Sequence, residues 1–85
     1  MLVGRKPSVD NGEQAVTIAD EQRSISRTHF AIDVIERAVL LTDLGSANGT
    51  RLHRDGHELT LSADSPVALL PGDEIRIGRF TLELR

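Results

Sequence analysis

Apolar side chains recur at every second position along much of this chain, and no stretch keeps a helical period. That rhythm constrains the fold more than any other feature, because it suits a backbone whose successive side chains point to opposite faces. Phe30, Ile32 and Val34 fall on one face of such a strand. Ala38 to Leu44 is apolar with little alternation, the pattern of a strand covered on both faces. Leu59 and Leu61 alternate with polar neighbours, and Val67 to Leu70 is a short apolar run closed by Pro71-Gly72. Near the end, Ile75 and Ile77 share one parity while Phe80, Leu82 and Leu84 share the other. A two-residue turn at Gly78-Arg79 reconciles them by setting Ile77 opposite Phe80. Glycine at its first central position suits a type II′ turn, which needs positive φ there. Asn48-Gly49 and Asp55-Gly56 are further turn signals.

These patterns predict strands at 1–4, 15–19, 28–35, 38–43, 50–54, 57–62, 66–70, 73–78 and 80–85. Many short strands joined by polar turns indicate an all-β sandwich or barrel. The longest stretches outside strands are Arg5 to Gln14 and Asp20 to Arg27. With no repeat, low-complexity tract or linker in 85 residues, one domain spanning 1–85 is expected. A chain this short buries only about 60–65% of the surface its unfolded form exposes, so its stability is expected to be modest.

Composition narrows the function classes. There is no cysteine to supply a disulfide or a thiolate metal ligand. No apolar run approaches the ~20 residues that cross a bilayer, and Met-Leu-Val-Gly-Arg-Lys has no signal-peptide layout, so a cytoplasmic location without membrane insertion is expected. A formal net charge of −3 argues against a general nucleic-acid binder. With neither Trp nor Tyr, and Phe30 and Phe80 the only aromatic residues of that class, no platform for stacking bases is apparent. Charge is nonetheless uneven: Arg5, Lys6, Arg23 and Arg27 all fall in the first third, in expected loops or loop edges.

Four short motifs stand out: Gly4-Arg5 at the end of an apolar strand, Ser26-Arg27-Thr28-His29-Phe30, Asp43-Leu44-Gly45-Ser46-Ala47-Asn48-Gly49-Thr50, and Pro71-Gly72-Asp73-Glu74-Ile75-Arg76-Ile77-Gly78. Each alone is weak. In this order and spacing, within an all-β pattern, they resemble the forkhead-associated (FHA) domain family over nearly the whole chain. The resemblance implies a β-sandwich of short, mostly antiparallel strands. It also implies a phosphothreonine-dependent interaction module that docks phosphorylated partner proteins in Ser/Thr kinase signalling, with neither catalysis nor a cofactor.

The residue types suit that task on chemical grounds. A phosphothreonine offers about −1.5 to −2 charges and three strong acceptor oxygens. Arginine's planar fork matches phosphate, a serine hydroxyl adds a neutral donor, and an asparagine both donates and accepts along an extended peptide backbone. Carried onto this sequence, the resemblance makes Arg5 a phosphate ligand, Ser26 a hydroxyl contact and Arg27 a second contact. Asn48 takes the asparagine that bonds the peptide main chain. His29 is implied to brace the serine loop, with Gly4, Gly49 and Thr50 as structural support. Arg23 is a candidate for contacting acidic residues that flank the phosphosite. Phosphothreonine is preferred to phosphoserine as a family trait.

The chain departs from the family pattern in places. Ala47 stands where many members carry a threonine, which removes a hydroxyl worth about 1 kcal/mol in one hydrogen bond. His53 stands where an asparagine often recurs. Members usually carry further strands before the Gly-Arg strand; the family's first strands are expected to be missing here, leaving an edge that must be protected or paired with another chain.

Competing readings of the same residues are weaker. Ser26 and His29 lack an oriented acid and a glycine-framed nucleophile, so a hydrolase pair is not expected. His53 and His57 lie across or along a turn with no third ligand, so exposed histidines are expected there and not a metal site. Asn48-Gly49 alone would read as a turn dipeptide, but its Asp43-to-Ser46 lead-in favours the motif. Gly4 and Gly72 serve backbone geometry in any function. The alternative function is a phosphate-independent interaction or assembly module on the same fold. The sequence leaves the oligomeric state open.

Overall fold

The computed structural model describes residues 1–7, 14–19 and 25–83. Among them the chain forms nine strands and no helix: β1 (Leu2–Gly4), β2 (Ala15–Thr17), β3 (Phe30–Ile35), β4 (Ala38–Asp43), β5 (Arg51–Arg54), β6 (His57–Thr60), β7 (Val67–Leu69), β8 (Glu74–Ile77) and β9 (Phe80–Glu83). Each expected strand is present, mostly shortened at its ends; Leu84 and Arg85 lie outside the described residues.

The strands build a two-sheet sandwich. A five-stranded sheet runs β2-β1-β3-β4-β7 and a four-stranded sheet runs β6-β5-β8-β9. All neighbours are antiparallel except β1 and β2, which pair in parallel with Val3 beside Val16. Period-2 alternation turns Val3, Phe30, Leu41 and Leu69 of the first sheet towards Leu52, Ile75 and Ile77 of the second, and these join Ile25 and Leu61 in one buried core.

Turn chemistry sets the hairpins. Gly78 has φ of 56° while Arg79 stays outside the left-handed region, so Ile77 pairs with Phe80 as the parity switch requires. At β5–β6, Asp55 and Gly56 both take positive φ, 50° and 76°, as a type I′ turn needs. Glu36 also enters the left-handed region, at φ 56°, in the β3–β4 hairpin.

Two expectations need correction. Leu40 is only half-buried, so β4 is covered on one face and not on both; its outer side belongs to no second layer. His53 is half-buried beside Glu58 at 3.8 Å, because it sits mid-sheet on the outer face of β5 between β6 and β8. His57 is exposed as expected.

Five strands facing four leave part of one inner face uncovered. Where β1 and β2 run past β9, Met1, Val3, Val16, Ile18, Ile32 and Leu82 line an apolar groove of about 250 Å³. The outer edge of β1 is occupied by β2, while β9 ends the second sheet.

Candidate functional site: a basic rim built from three loops

One end of the sandwich gathers the segment leaving β1, the segment entering β3 and the β4–β5 connection. Gly4 makes the first junction possible. A Cβ built there would lie 2.1 Å from the carbonyl oxygen of Arg27, so only glycine allows this approach. Through it, the N–H groups of Arg5 and Lys6 donate to the carbonyls of Ser26 at 3.0 Å and Arg27 at 2.9 Å, and the His29 N–H donates to Val3 at 2.8 Å. The Arg5 guanidinium is steered by its Nε–H, which donates to the Ile25 carbonyl at 3.3 Å. Ile25 itself is buried in the core below.

His29 makes the second junction, and its ring is fully buried. Its Nε2 lies 2.8 Å from the Gly49 carbonyl, which can only accept, so Nε2 carries the proton. Nδ1 is then an acceptor, and it receives the Ser26 N–H at 3.1 Å. A neutral imidazole thus ties the serine loop to the asparagine loop. Ser26 adds a third tie, since its Oγ accepts the Ala47 N–H at 2.8 Å. That contact uses a lone pair and leaves the hydroxyl hydrogen available to an outside acceptor.

Asp43 shapes the asparagine loop from beneath. Its Oδ2 accepts the N–H groups of Gly45 and Ser46 at 3.1 and 3.2 Å, and its Oδ1 accepts the hydroxyls of Ser46 and Thr50 at 2.5 and 2.6 Å. Burial alone would raise its carboxyl pKa. The Ser46 and Thr50 hydroxyls, with the backbone donors of Ser46 and Gly45, outweigh burial and hold it below the ordinary 3.8. Thr50 is fully buried, Gly49 takes φ of 80°, and Asn48 is exposed at the loop's crest. Asp43 and Ser46 were not singled out from sequence as supporting residues. The signal was present in Asp43-x-Gly45-Ser46, since an aspartate two or three residues before such donors favours an Asx turn.

The backbone therefore brings Arg5, Ser26, Arg27 and Asn48 to one end of the fold, with Gly4, His29, Gly49 and Thr50 beneath or between them. Arg23 lies outside the described residues. Among the described residues, the ion pairs join Arg51 and His53 to Glu58, Arg54 to Asp73 and Arg76 to Glu74, and none includes Arg5, Lys6 or Arg27.

The FHA domain family model matches residues 1–78. The chain belongs to the FHA family. Its structure resembles the FHA domain of FhaA, solved in complex with the intracellular domain of Rv3910. That match has 28% identity and a TM-score of 0.65, covering 94% of this chain and 72% of that one. It also resembles the solution structure of the FHA domain of an Arabidopsis thaliana hypothetical protein, at 33% identity and a TM-score of 0.65. Here 93% of this chain and 58% of that one are covered. No curated protein matches the sequence. FHA domains are protein–protein interaction modules, and this one presents its three joined loops on a rigid two-sheet scaffold.

Proposed function

We propose that residues 1–85 act as one non-catalytic module that docks onto a phosphothreonine of a cytoplasmic partner protein in Ser/Thr kinase signalling. The observation that carries this reading is that the backbones of Arg5, Lys6 and Arg27 adjoin the Ser26 loop with no ion pair to an acid among the described residues, while the Ser26 Oγ accepts the Ala47 N–H and so keeps its own hydrogen for donation. In this mechanism the phosphate dianion takes charge-assisted bonds from the Arg5 fork and the Ser26 hydroxyl, with Arg27 adding a second cation. Asn48, on the loop that Asp43 and His29 fix in place, bonds the peptide main chain beside the phosphate. The FhaA domain's complex with another protein's intracellular domain is consistent with docking to a protein segment.

Few groups make the contacts, so affinity is expected in the low micromolar range, about −7 to −8 kcal/mol. Salt should weaken it, because exposed charges are screened over about 8–10 Å. Titration with matched phosphothreonine, phosphoserine and unphosphorylated peptides tests the reading. The expected order is phosphothreonine first and unphosphorylated last, and equal affinity with and without phosphate would overturn it. Arg5→Ala is expected to cost at least about tenfold, or ~1.4 kcal/mol; a change below about twofold would remove Arg5 from the site.

A second reading has an observation of its own. The apolar groove beside β9 and the missing hydroxyl at Ala47 favour phosphate-independent association through a sheet edge. The same titration separates the two.

A further inference from the structure

We propose that two copies of this chain associate by pairing β9 with β9 across a two-fold axis at Thr81. The pairing joins the two four-stranded sheets into one and brings Phe80 and Leu82 of each copy to the apolar groove of the other. Self-association of this kind holds whichever of the two readings above stands.

The edge itself is the starting point. β9 closes the second sheet with β8 as its one neighbour, and it borders the groove, where Leu82 and Val16 of the facing sheet stay exposed. A bare edge beside apolar surface is a template for another strand. Its free backbone groups can be named. Across the two-residue turn at Gly78-Arg79, Phe80 pairs with Ile77, and the turn's own bond runs from the Phe80 N–H to the Ile77 carbonyl. Phe80 and, by alternation, Leu82 therefore direct their N–H and C=O groups to β8. Those of Thr81 and Glu83 point the other way, where no strand follows among the described residues.

Symmetry and charge then select the register. Antiparallel neighbours that continue one sheet are related by a two-fold axis perpendicular to it, which keeps the inner faces of both copies on the same side. Paired residues thus share a parity, and the axis passes through a residue and not between two. An axis at Thr81 sets Phe80 opposite Leu82 of the other copy on the inner face, and Arg79 opposite its Glu83. Both contacts are made twice. An axis at Glu83 would oppose two carboxylates, one at Leu82 would set Glu83 against Thr81, and one at Phe80 would set Arg79 against Thr81. Only the first matches opposite charges. Arg79 and Glu83 are exposed, and neither has an ion pair among the described residues. The Arg79 guanidinium lies beside β9, with Cζ 5.7 Å from the Phe80 ring centroid.

The joined strands run antiparallel, so the two loop-built rims lie at opposite ends of the dimer and each copy keeps its own site. With four residues on each side, the interface is smaller than the about 1,200 Å² at which stable complexes begin, so the dimer is weak and forms at high protein concentration. Sedimentation velocity on the full chain should show a monomer at about 5 µM and at least half dimer at about 1 mM. Arg79→Glu and Glu83→Arg each set like charges across the axis, and each alone should weaken association by at least about fivefold. Both side chains are exposed, and circular dichroism should show both variants folded. An equimolar mixture of the two restores opposite charges at both contacts and should regain the wild-type association. A wild-type chain that stays monomeric at about 1 mM would overturn the inference. So would a dimer that both variants leave intact, or a mixture of folded variants that regains nothing. The phosphopeptide titration is read separately, so either result leaves the phosphothreonine reading to be judged on its own.

Discussion

Gly4 shows how one side chain's absence places another's charge. Without a Cβ, β1 comes close enough for its end to bond the loop that carries Ser26, and Arg5 arrives there as the next residue. Gly4→Ala would force the backbone of Arg27 aside, an overpacking cost of about 1–3 kcal/mol. The expected outcome is a lower Tm together with a loss of phosphopeptide affinity as large as that of Arg5→Ala. A binding loss without a Tm change would contradict the packing argument. Asp43 works by the opposite means, with four accepted hydrogen bonds on a buried carboxylate. Asp43→Asn turns an amide's hydrogens towards two of those donors, and a loss of about 1–3 kcal/mol is expected from the unpaired groups. Asp43 is held below its ordinary 3.8, as is Asp73, the latter chiefly by its hydrogen bond from Arg54. A depressed carboxyl contributes stability that is full above its unfolded pKa and is lost as pH falls through the folded value. Tm followed by circular dichroism should stay level down to about pH 4 and fall below it, less steeply in Asp43→Asn than in the wild-type chain. An equal acid slope in the variant would remove Asp43 from that account.

At the scale of elements, a turn and a long-range contact divide the work of fixing the register. The Arg54 guanidinium on β5 donates to both oxygens of Asp73, at 2.8 and 2.6 Å, and to the Ala68 carbonyl at 3.0 Å. Asp73 also accepts the Leu70 N–H at 2.7 Å. One buried carboxylate thereby fastens the β7–β8 turn of one sheet boundary to the hairpin of the other. Asp73→Ala strands the Leu70 N–H and the guanidinium together. A loss of about 2 kcal/mol is expected, which lowers Tm by on the order of 10 °C in a domain of this size. A shift under about 3 °C would mean that water replaces the carboxylate at no penalty. This staple was not legible in the sequence, because its partners are 19 residues apart and neither carries a local signal. The hairpins were legible where a turn dipeptide demands one geometry, as at Gly78-Arg79 and Asp55-Gly56. The β3–β4 turn was legible only from strand lengths, since nothing about Glu36 announces a left-handed residue. Alternation shows which face a strand buries but not its neighbour, so the parallel pairing of β1 with β2 came only with the fold. The candidate site was readable as motifs. Its supports at Asp43 and Ser46, and the Ala47 N–H that orients the Ser26 hydroxyl, emerged from geometry.

Across the whole molecule, burial is uneven. Ile25, Phe30, Leu41 and Ile77 are buried almost completely, and Ile25 and Ile77 directly adjoin Ser26 and the Gly78 turn. The apolar groove, by contrast, opens where the larger sheet runs past β9, and Val16 and Leu82 remain 42% and 37% exposed there. A buried core under the rim suits the proposed function, because groups already held in place lose less freedom on binding. This uneven packing predicts uneven mutational costs. Leu41→Ala opens a cavity in the closed part of the sandwich and is expected to cost about 2–5 kcal/mol, most of what a domain with roughly 5–10 kcal/mol of stability can lose. Leu82→Ala removes a side chain already one-third in water, and its cost should stay below about 1.5 kcal/mol. With neither Trp nor Tyr in the chain, urea unfolding has to be followed by far-ultraviolet circular dichroism, comparing midpoints at constant m. If the stability rests on the core beneath the rim, Leu41→Ala shifts the midpoint several times further than Leu82→Ala and takes phosphopeptide binding down with it. Equal shifts would instead mean that the groove beside β9 is covered in solution, with Leu82 as buried as Leu41.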